Sequence, residues 1–287
     1  MATIAPTVAV PDGPPHGLRY RRYIHLFSSA KTLWSRRELV WVVAERELRA
    51  RYKQSNLGFA WSLITPIALM VVFSLFIKRI ANIDTGKVPY PLFSYVGLLP
   101  WGFFSSSVAN GGQSLILNVP ILKKVACPRE VFPLSAIVIA FVDMMLATIA
   151  LVVLFVIYGY APTIETAVWV PVILVVQLTF TVGIVMIVSS ATVYVRDLKH
   201  SLPLILQLGL FATPVAYGMK EIPASIRDIF GYLNPLAPVI DGYRRSVLLG
   251  LPPEWKTFLP AAGMGLLIMV VGYAIFKKLE TGIADVA

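Results

Sequence analysis

Arg46, Arg49, Arg51 and Lys53 place four cations within eight residues, and the planar fork of arginine matches the oxygens of a phosphate. From Leu57 no charged residue follows until Lys78, a run of 21 residues. A helix rising about 1.5 Å per residue needs roughly 20 apolar residues to cross a bilayer. The basic group therefore ends where a span begins. There it would hold its end of the span on the cytoplasmic side and attract anionic head groups. Phosphate contact and plain anchoring both use these residue types, and the types alone do not separate them.

The other reactive groups are sparse. Asp143 is the one charge inside an apolar span, and an intramembrane carboxylate is a functional candidate by default. With no second charge at that depth to form a relay, a structural hydrogen bond to Gln177 or a serine is the expectation. Cys127 stands alone, which excludes an intrachain disulfide and a cysteine-based metal site. His16, His25 and His200 show no metal-ligand spacing. Between spans, Glu130 and Asp197 each sit beside an arginine, Arg129 and Arg196. That leaves no acid–base or metal pair of the kind a phosphate-processing membrane enzyme needs. Nor are there the internal repeats and several intramembrane ionisable groups of many ion-driven transporters. The nearest approach to a phosphate-binding loop, Thr85-Gly86-Lys87-Val88, lacks the upstream glycine and has valine where Ser or Thr belongs. The expectation is a chain that does not hydrolyse ATP, binds no cofactor itself and holds no metal.

The elements that position these residues follow from composition. Apolar residues make up 57% of the 287 and charged residues 14%, against about 25% charged in a soluble domain. Mean hydropathy is +0.75. The net charge of +10 comes mainly from cations beside apolar segments, a topology signal rather than a nucleic-acid footprint. Six spans are predicted, over Leu57–Ile77, Tyr90–Gln113, Phe132–Tyr158, Val168–Tyr194, Leu202–Met219 and Thr257–Phe276. Seventeen of the 25 Lys and Arg fall on the side of the N-terminal region, which predicts both termini in the cytoplasm. Residues 1–30, with Pro6, Pro11, Pro14 and Pro15, read as a flexible cytoplasmic tail without the pattern of a signal peptide. Residues 31–56 read as an amphipathic interfacial helix with Trp34, Trp41, Leu48 and Tyr52 in one stripe.

Two connections stand out. Residues 220–256 contain the apolar stretch IFGYLNPLAPVI, broken by Pro223, Pro235, Pro238, Pro252 and Pro253. Irregular backbone at membrane depth requires cover, so one or two short re-entrant helices are expected there on the outer side. Residues 114–131 mix apolar side chains with Lys123, Lys124, Arg129 and Glu130, and Pro120 and Pro128 bracket a predicted short helix. A half-buried, half-charged helix suits either docking of a soluble partner or a position in the head groups.

The succession RELRARYKQSNLGFAWSLITP, LPWGFFSSSVANGGQSLILNVPILKKVACPREVFPLS, YVRDLKH, ATPVAYGM and NPLAPVIDGYR resembles the ABC-2-type permeases that export lipid-linked polysaccharides such as O-antigen, capsule and teichoic acid. The resemblance covers about residues 36–280. It implies an all-α protein of the bacterial inner membrane, a homodimer of six-span subunits over two copies of a separate ABC ATPase that carries ATP and Mg. It also implies a glycan linked to a polyprenyl diphosphate, and no nucleic acid. Drug-exporting ABC-2 permeases share the architecture but not the basic helix joined to these blocks. On this resemblance the segment with Asn118, Leu122, Lys123, Lys124, Arg129 and Glu130 becomes the ATPase-coupling element. Arg46, Arg49 and Arg51 become candidates for recruiting the lipid diphosphate. Tyr95, Trp101, Phe103, Phe104, Ser106, Asn110 and Tyr217 become candidates for lining a channel, because sugar C–H faces pack weakly on rings. Belt or packing roles serve the same aromatics, and the small polar run Ser105–Gln113 suits a lumen, a dimer contact or both.

Overall fold

The structure, a computed structural model, describes residues 31–286 except 32, 54–57, 82, 123, 125, 126 and 163, with the backbone alone at 81 and 281–286. The expected tail, 1–30, lies outside the described residues. Among the described residues all regular structure is helical. We label α1 (Arg37–Lys53), α2 (Ala60–Ile80), α3 (Tyr90–Leu117), α4 (Val131–Ile157), α5 (Trp169–Tyr194), α6 (Leu198–Ala212), α7 (Ala224–Leu233), α8 (Leu236–Arg244) and α9 (Trp255–Val286). In a bilayer the helix is the one open-ended segment that satisfies its own backbone groups, which is why so apolar a sequence takes this form.

Among the described residues five helices are long and apolar enough to cross a membrane: α2, α3, α4, α5 with the turn before it, and α9. The expected span over Leu202–Met219 instead becomes the shorter α6, ending at Ala212. Pro214 is the reason: its ring excludes the helical conformation from the residue before it, and Thr213 is extended (φ −101°, ψ 142°). The proline-rich stretch after α6 forms two short helices, α7 and α8, followed by a wide π turn over Arg245–Leu249. Gly250, in the left-handed region (φ 68°), closes that turn.

α3 is the centre of the bundle, packed between α4 and α5. Without a hydrophobic drive in lipid, close approach depends on small residues. Gly111 and Gly112 serve this at the α3–α5 contact, where an added Cβ would lie 2.6 Å from Val185 and 2.7 Å from Val188. The α5–α9 crossing is tighter still. A Cβ on Gly183 would lie 2.6 Å from the backbone of Ile268 and Met269, and Gly272 faces Gly183 from the other side. Gln177, buried in α5, donates to the Pro100 carbonyl at 2.7 Å and accepts from the Tyr243 hydroxyl at 3.0 Å. It does not touch Asp143, contrary to one of the two expected partnerships.

α2 is peripheral. Met70 and Phe73 are its buried residues, while Trp61, Ile64, Leu75 and Phe76 are exposed. Its light packing on α3 and α4 leaves open ground between them.

Candidate functional site

The site begins at an elbow. Gly58 (φ 42°) lets the chain turn from α1 into α2, and Tyr52 stacks on Phe59 across the bend with ring centroids 3.8 Å apart. α1 is thereby laid against α4, with Ala44 as its buried contact and Trp34 and Trp41 turned outward. Of the four residues of the expected stripe, Trp34 and Trp41 are exposed and Leu48 and Tyr52 half-buried.

The bend delivers three donors to Asp143 of α4. Tyr52 Oη donates at 2.5 Å, Ser62 Oγ at 2.8 Å and Arg51 Nη1 at 3.1 Å. The serine was anticipated. The arginine was not, because nothing in the spacing of residues 51 and 143 announces that α1 folds back onto α4. Burial, reinforced by the hydrogen bond to Asp143, pushes the Tyr52 phenol above its ordinary pKa.

Two clefts meet at Arg51. The larger, of about 500 Å³, lies between α2, α3 and α4 and is lined by Tyr52, Trp61, Ser62, Trp101, Ser106 and Asp143 among others. The smaller, of about 450 Å³, lies between α1, α3 and α4, with Arg46, Asn110, Gln113 and Asn118 on its walls. Arg51 lines both. Along α3, Gly102, Ser106 and Asn110 recur every fourth residue on the open face, and Asn110 Nδ2 donates to Ser106 Oγ at 3.1 Å. The small polar run thus divides by helical phase. Its glycines pack inward on α5, Ser107 is buried with them, and Ser105, Ser106, Asn110 and Gln113 line the clefts.

The three arginines differ. Arg46 donates to Asn118 Oδ1 at 3.2 Å and lies 3.5 Å from Glu47. Arg51 pairs with Asp143. Arg49 points away, 78% exposed and held by Glu45 at 2.5 Å, and lines neither cleft. The structure brings Arg46 and Arg51 to one place and sets Arg49 apart.

Most of the aromatic channel candidates turn inward instead. Tyr95 is fully buried and donates to the Ala147 carbonyl at 2.9 Å. Phe103 meets Phe141 edge-on, and Phe104 stacks on Phe180 at 5.5 Å. These rings belong to the core of the bundle. Trp101 is mostly buried over Gly209 of α6 yet borders the larger cleft. Tyr217 is half-buried and donates to the Phe211 carbonyl. Ser106 and Asn110 are the candidates that remain on an open surface.

The expected helix between Pro120 and Pro128 is also corrected. Among the described residues it is one turn, Val119–Leu122, and Arg129 and Glu130 belong to the turn that opens α4. Glu130 is 1% exposed, ion-paired with Lys277 and bonded by Tyr273. Arg129 donates to the Glu280 carbonyl. Leu122 packs on a cluster of Leu115, Phe132, Met186, Val193 and Phe276. Lys124 is exposed, and Lys123 lies outside the described residues. Four of the expected coupling residues therefore fasten this end of the bundle together.

A family model described as ABC-2 type transporter matches residues 38–248. The chain belongs to the ABC-2 type transporter family. It is 32% identical over 250 residues to the O-antigen export system permease protein RfbA of Klebsiella pneumoniae, covering 87% of this chain and 95% of that one. With the protein of the same name from Myxococcus xanthus the identity is 31% over 89% and 97% of the two chains. The polysialic acid transport protein KpsM of Escherichia coli is 22% identical over 82% and 91%.

One residue of this ABC-2 transporter family member escaped the sequence reading. Arg244, in the connection over residues 220–256, is 1% exposed. Its guanidinium donates to the carbonyls of Phe93 (3.1 Å), Pro214 (2.7 Å), Tyr217 (2.9 Å) and Val215, and lies over the Phe93 ring at 3.8 Å. It satisfies the carbonyls left open where Thr213–Pro214 ends α6. Desolvation lowers its pKa to about 10, and nearby Asp241 opposes the shift, so the cation persists at neutral pH. Among the described residues no group of three or more His, Cys, Asp or Glu could hold a metal ion.

Proposed function

We propose that this chain is the membrane-spanning subunit of an ATP-driven exporter of polysaccharide linked to a polyprenyl diphosphate, moving it from the cytoplasmic to the outer side of the bacterial inner membrane. It works as a homodimer on two copies of a separate ABC ATPase, which carries ATP and Mg. The observation that carries this reading is the near full-length match to proteins named as O-antigen export permeases. The clefts support it: a polar stripe on α3 leads away from a mouth holding Arg46 and Arg51.

In this reading α6 completes a sixth crossing, α7 and α8 re-enter from the outer face, and both termini are cytoplasmic. The full burial of Arg244 supports the re-entrant arrangement, since irregular backbone at membrane depth needs its carbonyls satisfied by protein. Lys124, with its neighbour Lys123, is the part of the coupling segment that meets the ATPase. Asn118, Leu122, Arg129 and Glu130 transmit movement by tying that segment to α1, α4 and α9.

The test is co-expression with a candidate ABC ATPase. A stable complex whose ATP hydrolysis rises with lipid-linked glycan is the expected result. Failure to bind any ABC ATPase would remove the proposal.

A further inference from the structure

Arg51 is not waiting empty-handed. Its partner Asp143 is 20% exposed and Arg51 itself 43%, and both line the larger cleft. Asp143 also accepts from Tyr52 at 2.5 Å and Ser62 at 2.8 Å. These two hydroxyls would keep the carboxylate satisfied if the guanidinium left. A buried anion that loses its sole partner resists the loss; this one keeps two donors. Arg51 also borders the smaller cleft, where Arg46 is 50% exposed and held by the amide oxygen of Asn118 and by Glu47. Beyond Ser62 the larger cleft is mostly apolar, with Pro66, Leu69, Leu98, Leu99, Met144 and Leu206 on its walls beside Thr65, Ser105 and Ser106. A cationic mouth beside an apolar trough fits an anionic head on an isoprenoid tail.

We infer that Asp143 is a displaceable counter-ion, which holds Arg51 at the junction of the two clefts until the diphosphate of an isoprenoid lipid takes its guanidinium together with that of Arg46. Arg49 plays no part. This rests on the exporter reading above and adds to it a positioning residue and a competition. A diphosphate presents several charged oxygens to a planar fork and meets an ion pair whose arginine is 43% exposed and so not locked in place by burial. Asp143 therefore sets how tightly the lipid is held and, by reclaiming Arg51, helps to release it.

The test measures farnesyl diphosphate binding to the full chain in nanodiscs, with inorganic pyrophosphate as the second arm. Wild type should bind farnesyl diphosphate at least tenfold more tightly than pyrophosphate. Asp143→Asn keeps an acceptor for Tyr52 and Ser62 but removes the competing charge, and should bind 3- to 10-fold more tightly than wild type. Asp143→Glu, which retains the charge, should stay within twofold. Arg51→Gln should lose most of the affinity, and adding Asp143→Asn to it should restore nothing. A merely structural Asp143 predicts unchanged or weaker binding in Asp143→Asn, and that result overturns the competition while leaving the exporter reading intact. Wild-type binding that is absent, or indifferent to Arg51, overturns both. Equal binding of pyrophosphate overturns the lipid trough.

Discussion

Arg46 Nη2 donates to Asn118 Oδ1 at 3.2 Å across a separation of 72 residues. Asn118 also caps its own helix by donating to the Ser114 carbonyl at 2.9 Å. A residue read as a lipid-phosphate contact and one read as an ATPase-coupling contact are thus bonded to each other. Whatever moves the one-turn helix at Val119–Leu122 also moves a wall of the smaller cleft.

The two kinds of arginine should separate in export. Arg46→Gln and Arg51→Gln are expected to reduce surface polysaccharide at least fivefold. Arg49→Gln removes an exposed pair of about 0.3–0.5 kcal/mol and should change it less than twofold. Immunoblotting of surface glycan at matched expression distinguishes them.

The open face of α3 can be blocked without touching the core. A Cβ added at Gly102 meets nothing within 4 Å, so Gly102→Trp should fold with a stability change within about 0.5 kcal/mol. Its ring would project over the larger cleft. Export should fall more than tenfold while the chain elutes and melts as wild type.

Arg244→Gln withdraws the guanidinium from four carbonyls. Buried groups left without partners cost about 1–3 kcal/mol each, so the loss should be at least about 3 kcal/mol. It should appear as a marked drop in Tm in detergent. Gly97→Ala should act in the same direction at about 1–3 kcal/mol, because its Cβ would press on the same guanidinium and lie 3.0 Å from the Val215 carbonyl.

Glu130 and Lys277 should show strong coupling. Glu130→Gln leaves Lys277 its second pair, with Glu280, whereas Lys277→Met leaves the buried Glu130 carboxylate without a cation, at about 3–5 kcal/mol. The double substitution should recover more than half of that in a thermal double-mutant cycle.

How much of this was legible beforehand depends on range. The spans were readable because hydropathy is a local sum, and all five long helices lie within a few residues of their expected bounds on at least one end. Pro214 could have shortened the fifth expected span, since the rule it obeys concerns only its neighbour. The phase of α3 was harder. Its rings and its polar residues interleave, and only a knowledge of which side α4 and α5 occupy tells core from cleft. Arg51–Asp143 and Arg244 were out of reach for a different reason. Each depends on an approach between segments distant in the chain, and a charged residue near a proline-rich loop looks solvated until its carbonyl partners are in place.

The crossing of Gly183 and Gly272 carries a consequence for biogenesis. At about 5–20 residues made per second, several seconds pass between insertion of α5 and the arrival of α9. Through that interval the bare backbone at Gly183 faces lipid with no Cβ to shield it. A chain truncated before α9 would keep that groove uncovered for good. Surveillance by membrane proteases would then recognise incompleteness at a glycine in the fourth long helix, far from the missing end.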